Sequence, residues 1–117
     1  MSKRETKVVL LDIIESIIRI QNYTEKLSYD DFMKDSMKQD AVIRNFEIIG
    51  EAVKILPEDF KNKHSEIDWK KISGMRDRLI HFYFGVNLEI VWQTIIDKLP
   101  ELKKHIAVFL ESEINQS

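Results

Sequence analysis

No stretch of useful length in this chain alternates apolar and polar residues with period two, so a half-buried β-strand has nowhere to form. Apolar residues recur instead at spacings of three and four. Over residues 5–27 they fall at Val9, Ile13, Ile17, Ile20 and Leu27, with Leu10, Ile14, Ile18 and Tyr23 beside them. Lys7, Asp12, Glu15, Arg19 and Gln21 fill the other side. That is the stripe of a long amphipathic helix, wide enough to bury against more than one neighbour. Breakers are scarce, with three Gly and two Pro in 117 residues, which favours long helices joined by short connections.

The remaining punctuation divides the rest of the chain. Ser28 and Asp31 form a capping pair that opens a short helical piece through Phe32 and Met33. A turn is expected at Asp35 and Ser36. A second long helix then covers 37–56 and buries Ala41, Val42, Phe46, Ile49, Val53 and Leu56. Gly50 inside it costs about 1 kcal/mol relative to Ala, and close packing against another helix is the expected reason. Pro57 ends this helix and opens a brief one over 58–63. After a loop over 64–67, Asp68 caps a helix whose apolar positions are Trp69, Ile72, Met75, Leu79, Ile80 and Phe82, with Gly85 as its stop. Asn87 caps a helix over 88–98 that turns Ile90, Val91, Ile95 and Leu99 inward, with Trp92 beside them. Pro100 starts or kinks the last helix, through Leu102, Ile106, Phe109 and Leu110, and 112–117 are expected to fray. The pattern predicts a single all-α domain over 1–117, an antiparallel helical bundle of five to six helices.

Composition removes several function classes. With no Cys there is no disulfide, thiolate metal site or Cys nucleophile. The apolar run after the charged N-terminus is broken by Asp12 and Glu15, so it is neither a signal-peptide core nor a membrane span of roughly 18 residues. A cytoplasmic protein is the economical expectation. The formal net charge of −2 advertises no global attraction for nucleic acid, so any RNA contact must come from a local cluster or from two copies of one.

Such a cluster lies at residues 73–85, where Arg76, Asp77, Arg78, His81 and Tyr83 are interleaved with Met75, Leu79, Ile80, Phe82 and Phe84. Arg offers a permanent planar charge for a phosphate, and His titrates near neutral pH and can move protons at a ribose 2′-OH or a leaving 5′-oxygen. On spacing alone an ordinary alternative competes, an Arg in a salt bridge and a His against the helix dipole. Helix geometry adds a constraint. Arg76 and Tyr83 lie about 20° apart around an ideal helix, whereas His81 lies about 140° from Arg76. Either the helix loosens before Gly85, or Arg76 reaches sideways, or a second subunit completes the site across a two-fold axis.

Three blocks carry a resemblance. They are W-x-x-I-x-G-M-R-D-R-L-I-H-F-Y-F-G-V over 69–86, V-W-x-T-I-x-x-x-L-P-x-L over 91–102, and A-V-I-R-N-F-E-I-I-G-E-A over 41–52. Together they resemble the HepT-like toxins of the HEPN superfamily along essentially the whole chain. The resemblance implies a homodimeric helical toxin of a toxin–antitoxin module of type II or VII, acting as a metal-independent RNA endonuclease with no cofactor. It implies Arg76 and His81 as the catalytic pair, with Asp77 as part of the site. It implies Tyr83 as the residue that a minimal nucleotidyltransferase antitoxin modifies with AMP. One departure is Asp68, where many relatives are expected to carry Pro; it touches the helix start rather than the site.

Other residues carry weaker signals. Lys70, Lys71, Arg76 and Arg78 supply a local positive patch, which makes Arg78 a supporting residue for RNA. Arg44 and Glu51 lie seven apart on one side of the second long helix; exposed charge is the default, and lining the cleft or meeting the antitoxin is the alternative. Trp69 and Trp92 are expected as core anchors, and His64 and His105 as solvated surface residues. Two other functions stay open: a non-catalytic HEPN nucleotide- or protein-binding partner subunit of a nucleotidyltransferase, and a structural dimerising bundle in which Arg76 and His81 hold the interface.

Overall fold

Most helices in this chain begin where a short polar side chain takes up a free backbone N–H, although the one behind Pro57 has no such cap. The computed structural model describes residues 2–81 and 87–115, the side chains of 79–81, 114 and 115 excepted. Its elements are α1 (Lys3–Thr24), α2 (Tyr29–Lys34), α3 (Ser36–Ile55), α4 (Glu58–Lys63), α5 (Trp69–His81), α6 (Leu88–Asp97) and α7 (Leu99–Asn115). Five run for ten residues or more; α2 and α4 are six-residue pieces that bring the described total to seven.

The expected caps form. Asp31 N–H donates to Ser28 Oγ at 3.1 Å while Ser28 N–H donates to Asp31 Oδ2 at 3.2 Å, a closed capping box. Asp68 accepts from Lys71 N–H at 3.0 Å, and Asn87 from the N–H groups of Glu89 and Ile90; Asp35, where only a turn was expected, also caps α3 by accepting from Lys38 N–H at 3.0 Å. Pro100 sits in the first turn of α7, where a missing N–H costs nothing. The fraying expected from 112 does not occur there, because α7 continues to Asn115. Buried Ile106, Phe109 and Leu110 hold the preceding turns, and each further residue then adds a backbone hydrogen bond at little cost. The stop expected at Gly85 lies outside the described residues.

α3 lies between α1 and α5; α7 covers another side of α1, α6 packs on α7, and α2 bridges α3 and α6. The wide stripe of α1 serves two neighbours, with Leu10, Ile13, Ile17 and Ile20 all fully buried. Burying four such side chains contributes up to about 6–12 kcal/mol before chain entropy is set against it. Ile18, expected beside the stripe, stays 39% exposed.

A second cluster ties the entry of α5 to α7. Phe60, His64 and Trp69 surround Phe109, with the His64 ring 3.9 Å from it, and Trp69 Nε1–H donates to the His64 carbonyl at 3.0 Å. Trp69 is thus the anchor expected, and Trp92 packs on Phe32 at 5.3 Å. His64 is not the solvated residue expected. Burial pulls its pKa below the ordinary value, opposed by Glu66. His105, expected on the surface too, is half-buried with its ring 6.1 Å from Phe109. His64 gave no sign of this because the Phe109 ring it packs against is far away in sequence, whereas His105 sits four residues before Phe109 on one side of the last helix, a spacing that could have signalled the contact.

Candidate functional site

α5 is held at two points. Trp69 fixes its first turn, and Gly50 of α3 fixes its middle. A Cβ built on Gly50 would lie 2.1 Å from Arg76 Cβ and 2.8 Å from its Cγ. Only a glycine lets the two helices approach so closely. The packing role expected for Gly50 is therefore real, and the neighbour it admits is the Arg of the 73–85 cluster.

From that position the Arg76 guanidinium reaches two carboxylates. Its Nη2 lies 2.9 Å from Glu51 Oε2 and its Nη1 donates to Asp77 Oδ1 at 3.2 Å. Asp77 Oδ1 also accepts from Lys54 Nζ at 2.6 Å. These hydrogen bonds, Lys54 first and Arg76 second, hold the Asp77 carboxyl below its ordinary pKa. Asp77 therefore stays ionised across any physiological range. Glu51 is 55% exposed on its side chain, so its pair with Arg76 is worth no more than about 1 kcal/mol. The network orients Arg76 more than it stabilises the fold.

Arg76 forms part of the wall of a surface groove of about 340 Å³, with Asp12, Arg44, Glu47, Ile48, Glu51, Ala52 and Ile55. Arg44 and Glu51 both line it, the less ordinary of the two expectations for that pair. A depression of about 470 Å³ where α2 meets α3 contains Asp31, Lys34 and Asp35 but no Arg or His. It lacks the permanent planar charge that phosphate chemistry uses, and the Arg76 groove is the better site.

Ile55 in the groove wall remains half exposed, apolar surface beside a charged centre. Lys70, Lys71 and Arg78 are exposed, as a positive patch requires. Ion pairs with other described residues do not occupy them.

His81 is the last residue of α5, and the helix stays regular to that point. Its backbone position is therefore about 140° around the axis and roughly 7.5 Å along it from Arg76. The loosening expected as one option before Gly85 has not begun at His81, and 82–86 lie outside the described residues. The His81 side chain and the whole of Tyr83 lie outside what is described. Of the sequence-derived site residues, the structure brings together Arg76 and Asp77 and leaves Arg78 exposed nearby.

Lys54, Asp12 and Glu47 were not singled out from the sequence. The signal for two of them was Gly50: Glu47 at i−3 and Lys54 at i+4 share its side of α3. Asp12 had no such signal, being one polar residue among several on α1. Among the described residues no three His, Asp or Glu side chains converge as a metal would require, and no helix is long and apolar enough to cross a membrane.

A family model described as "Ribonuclease HepT-like" matches residues 13–109. "Putative RNase MJ0127" of Methanocaldococcus jannaschii is 47% identical over 106 residues, covering 91% of this chain and 88% of that protein. "Putative RNase TTE0752" of Caldanaerobacter subterraneus subsp. tengcongensis is 53% identical over 87 residues, covering 74% and 78%. "Probable ribonuclease HepT" of Thermococcus cleftensis is 48% identical over 101 residues, covering 86% and 92%. No solved structure matches the chain.

Proposed function

The chain belongs to the HepT-like ribonuclease family of the HEPN superfamily, and from that premise we propose that it is a cytoplasmic toxin that cleaves RNA internally without a metal. The observation that carries this is Arg76. It is a permanent cation pinned at its Cβ by Gly50, aimed by two carboxylates, and opening onto a groove. A charge held in place before substrate arrives is what stabilises a developing phosphorane.

In the proposed reaction the ribose 2′-oxygen attacks the adjacent phosphorus and the bond to the 5′-oxygen breaks. The products are a 2′,3′-cyclic phosphate and a 5′-hydroxyl. His81 carries protons from the 2′-OH and to the leaving oxygen, and Arg76 meets the charge on the non-bridging oxygens. α5 runs unbroken from Arg76 to the His81 backbone, about 140° around an ideal helix, which favours completion of the site by a second copy. The functional unit proposed is a homodimer in which two copies of 73–85 face one cleft. The half-exposed Ile55 in the groove wall suits such burial.

Control is proposed to come from a nucleotidyltransferase antitoxin that transfers AMP to Tyr83. The added phosphate charge and bulk would fall two residues from His81, against an RNA phosphate. Purified Arg76→Ala and His81→Ala proteins are expected to lose RNA cleavage while keeping their helical circular dichroism. Unchanged cleavage by either removes that residue from the mechanism. Failure of the unaltered protein to cleave any RNA favours the non-catalytic partner subunit instead. Intact-mass analysis after incubation with ATP and the cognate antitoxin is expected to place one AMP on Tyr83; an adduct mapped elsewhere refutes that arm.

A further inference from the structure

The two carboxylates on Arg76 are not equivalent. Asp77 is tied down from two sides, by Lys54 at 2.6 Å and by Arg76 at 3.2 Å. Glu51 has one ion-pair partner among the described residues, Arg76, and most of its side chain is in solvent. Both terminal guanidinium nitrogens are thus already engaged, and the four charges of Glu51, Lys54, Arg76 and Asp77 sum to zero. An incoming phosphate meets no net attraction there until one carboxylate leaves. Arg76 is the less mobile partner, its stem packed against Gly50 and its side chain 25% exposed against 55% for Glu51. Exposed side chains, by contrast, change rotamer within nanoseconds. Glu51 also lines the groove with Arg76, so the space an arriving phosphate enters is the space its carboxylate faces.

We propose that Glu51 is a displaceable counter-ion of Arg76, holding the guanidinium in place while the groove is empty and giving way to an RNA phosphate, so that it limits how tightly the chain takes RNA. This rests on Arg76 being the phosphate-binding residue of the proposed ribonuclease. Asp77 stays on Arg76 throughout and keeps the guanidinium oriented when Glu51 swings out. The arrangement exchanges one anion for another at a preformed cation, which avoids both an unpaired half-buried Arg in the free protein and a reorganisation of Arg76 on binding.

The test is Glu51→Gln, which keeps the shape and removes the charge, in two assays. In steady-state cleavage of a single-stranded RNA, kcat/KM is expected to rise about two- to fivefold, through KM, the size an exposed ion pair commands. In equilibrium binding of the same sequence as 2′-O-methyl RNA, which cannot undergo 2′-oxygen attack, the dissociation constant is expected to fall by a similar factor. A fall in kcat with KM unchanged overturns the proposal in favour of a positioning role, as does an unchanged dissociation constant. The two assays separate this proposal from the ribonuclease assignment. If the unaltered protein cleaves nothing, the activity assignment falls, while tighter binding by Glu51→Gln still sustains the counter-ion and unchanged binding still removes it.

Discussion

Replacing Gly50 by Ala adds one methyl group, yet it is expected to cost this protein its activity. A Cβ at position 50 would begin 2.1 Å from Arg76 Cβ. To reach the 3.4 Å at which ordinary contact begins, α5 must retreat by about 1.3 Å. The obstructing atom is the root of the side chain rather than its flexible end, so a rotamer change of Arg76 does not relieve it. Two terms then oppose each other in stability. Ala is about 1 kcal/mol better than Gly inside a helix, and overpacking a tight contact costs about 1–3 kcal/mol. The net loss lies between nothing and about 2 kcal/mol, a fall in Tm of at most about 8 °C. Catalysis is more sensitive, since a misplacement of about 1 Å can cost about 100-fold in rate. Gly50→Ala is thus expected to stay folded by circular dichroism at 25 °C and to cleave RNA about 100-fold more slowly. A folded Gly50→Ala protein with full cleavage activity would show that the α3–α5 approach does not aim Arg76. A loss of activity that merely tracks loss of helix would reduce Gly50 to a packing residue.

Two further substitutions separate local from tertiary effects. A methyl group added at Gly74 on α5 would meet nothing within 4 Å, so Gly74→Ala is expected to raise stability by about 0.5–1 kcal/mol with cleavage retained; a lower Tm in a thermal melt would refute this and place another backbone against that face. His64 has its pKa pulled below about 6.5 by burial, so the unfolded chain binds the extra proton first as pH falls. The stability of the native protein is therefore complete above about pH 6.5 and declines as pH drops toward the folded value. His64→Phe keeps a ring against Phe109 and removes that proton, so its urea midpoint is expected to fall less between pH 7.5 and 5.5 than that of the native chain. Equal declines would show that His64 does not titrate differently on folding.

The resemblance blocks and the helix pattern made the family and the all-α class legible from residues alone, and the family match over 13–109 bears that out. Local chemistry is what made this possible. The stripe of α1, the Ser28–Asp31 box and the caps at Asp68 and Asn87 depend on residues within one or two turns of each other. The site was legible only as a cluster of residue types. Arg76 and Asp77 could be named, but Glu51 was an undecided surface charge, and Lys54, Asp12 and Glu47 carried no chemistry of their own. His64 was misjudged for the same cause, since Phe109 lies 45 residues away along the chain.

Sequence by itself determined that this chain is helical, where its helices begin, and which family it joins, because periodicity, capping and motif spacing are short-range properties. Tertiary structure decided which carboxylates hold Arg76 and why a glycine stands at position 50. Those facts depend on the distance between α3 and α5, which is set by the absence of a single Cβ at their crossing and cannot be read from either helix alone.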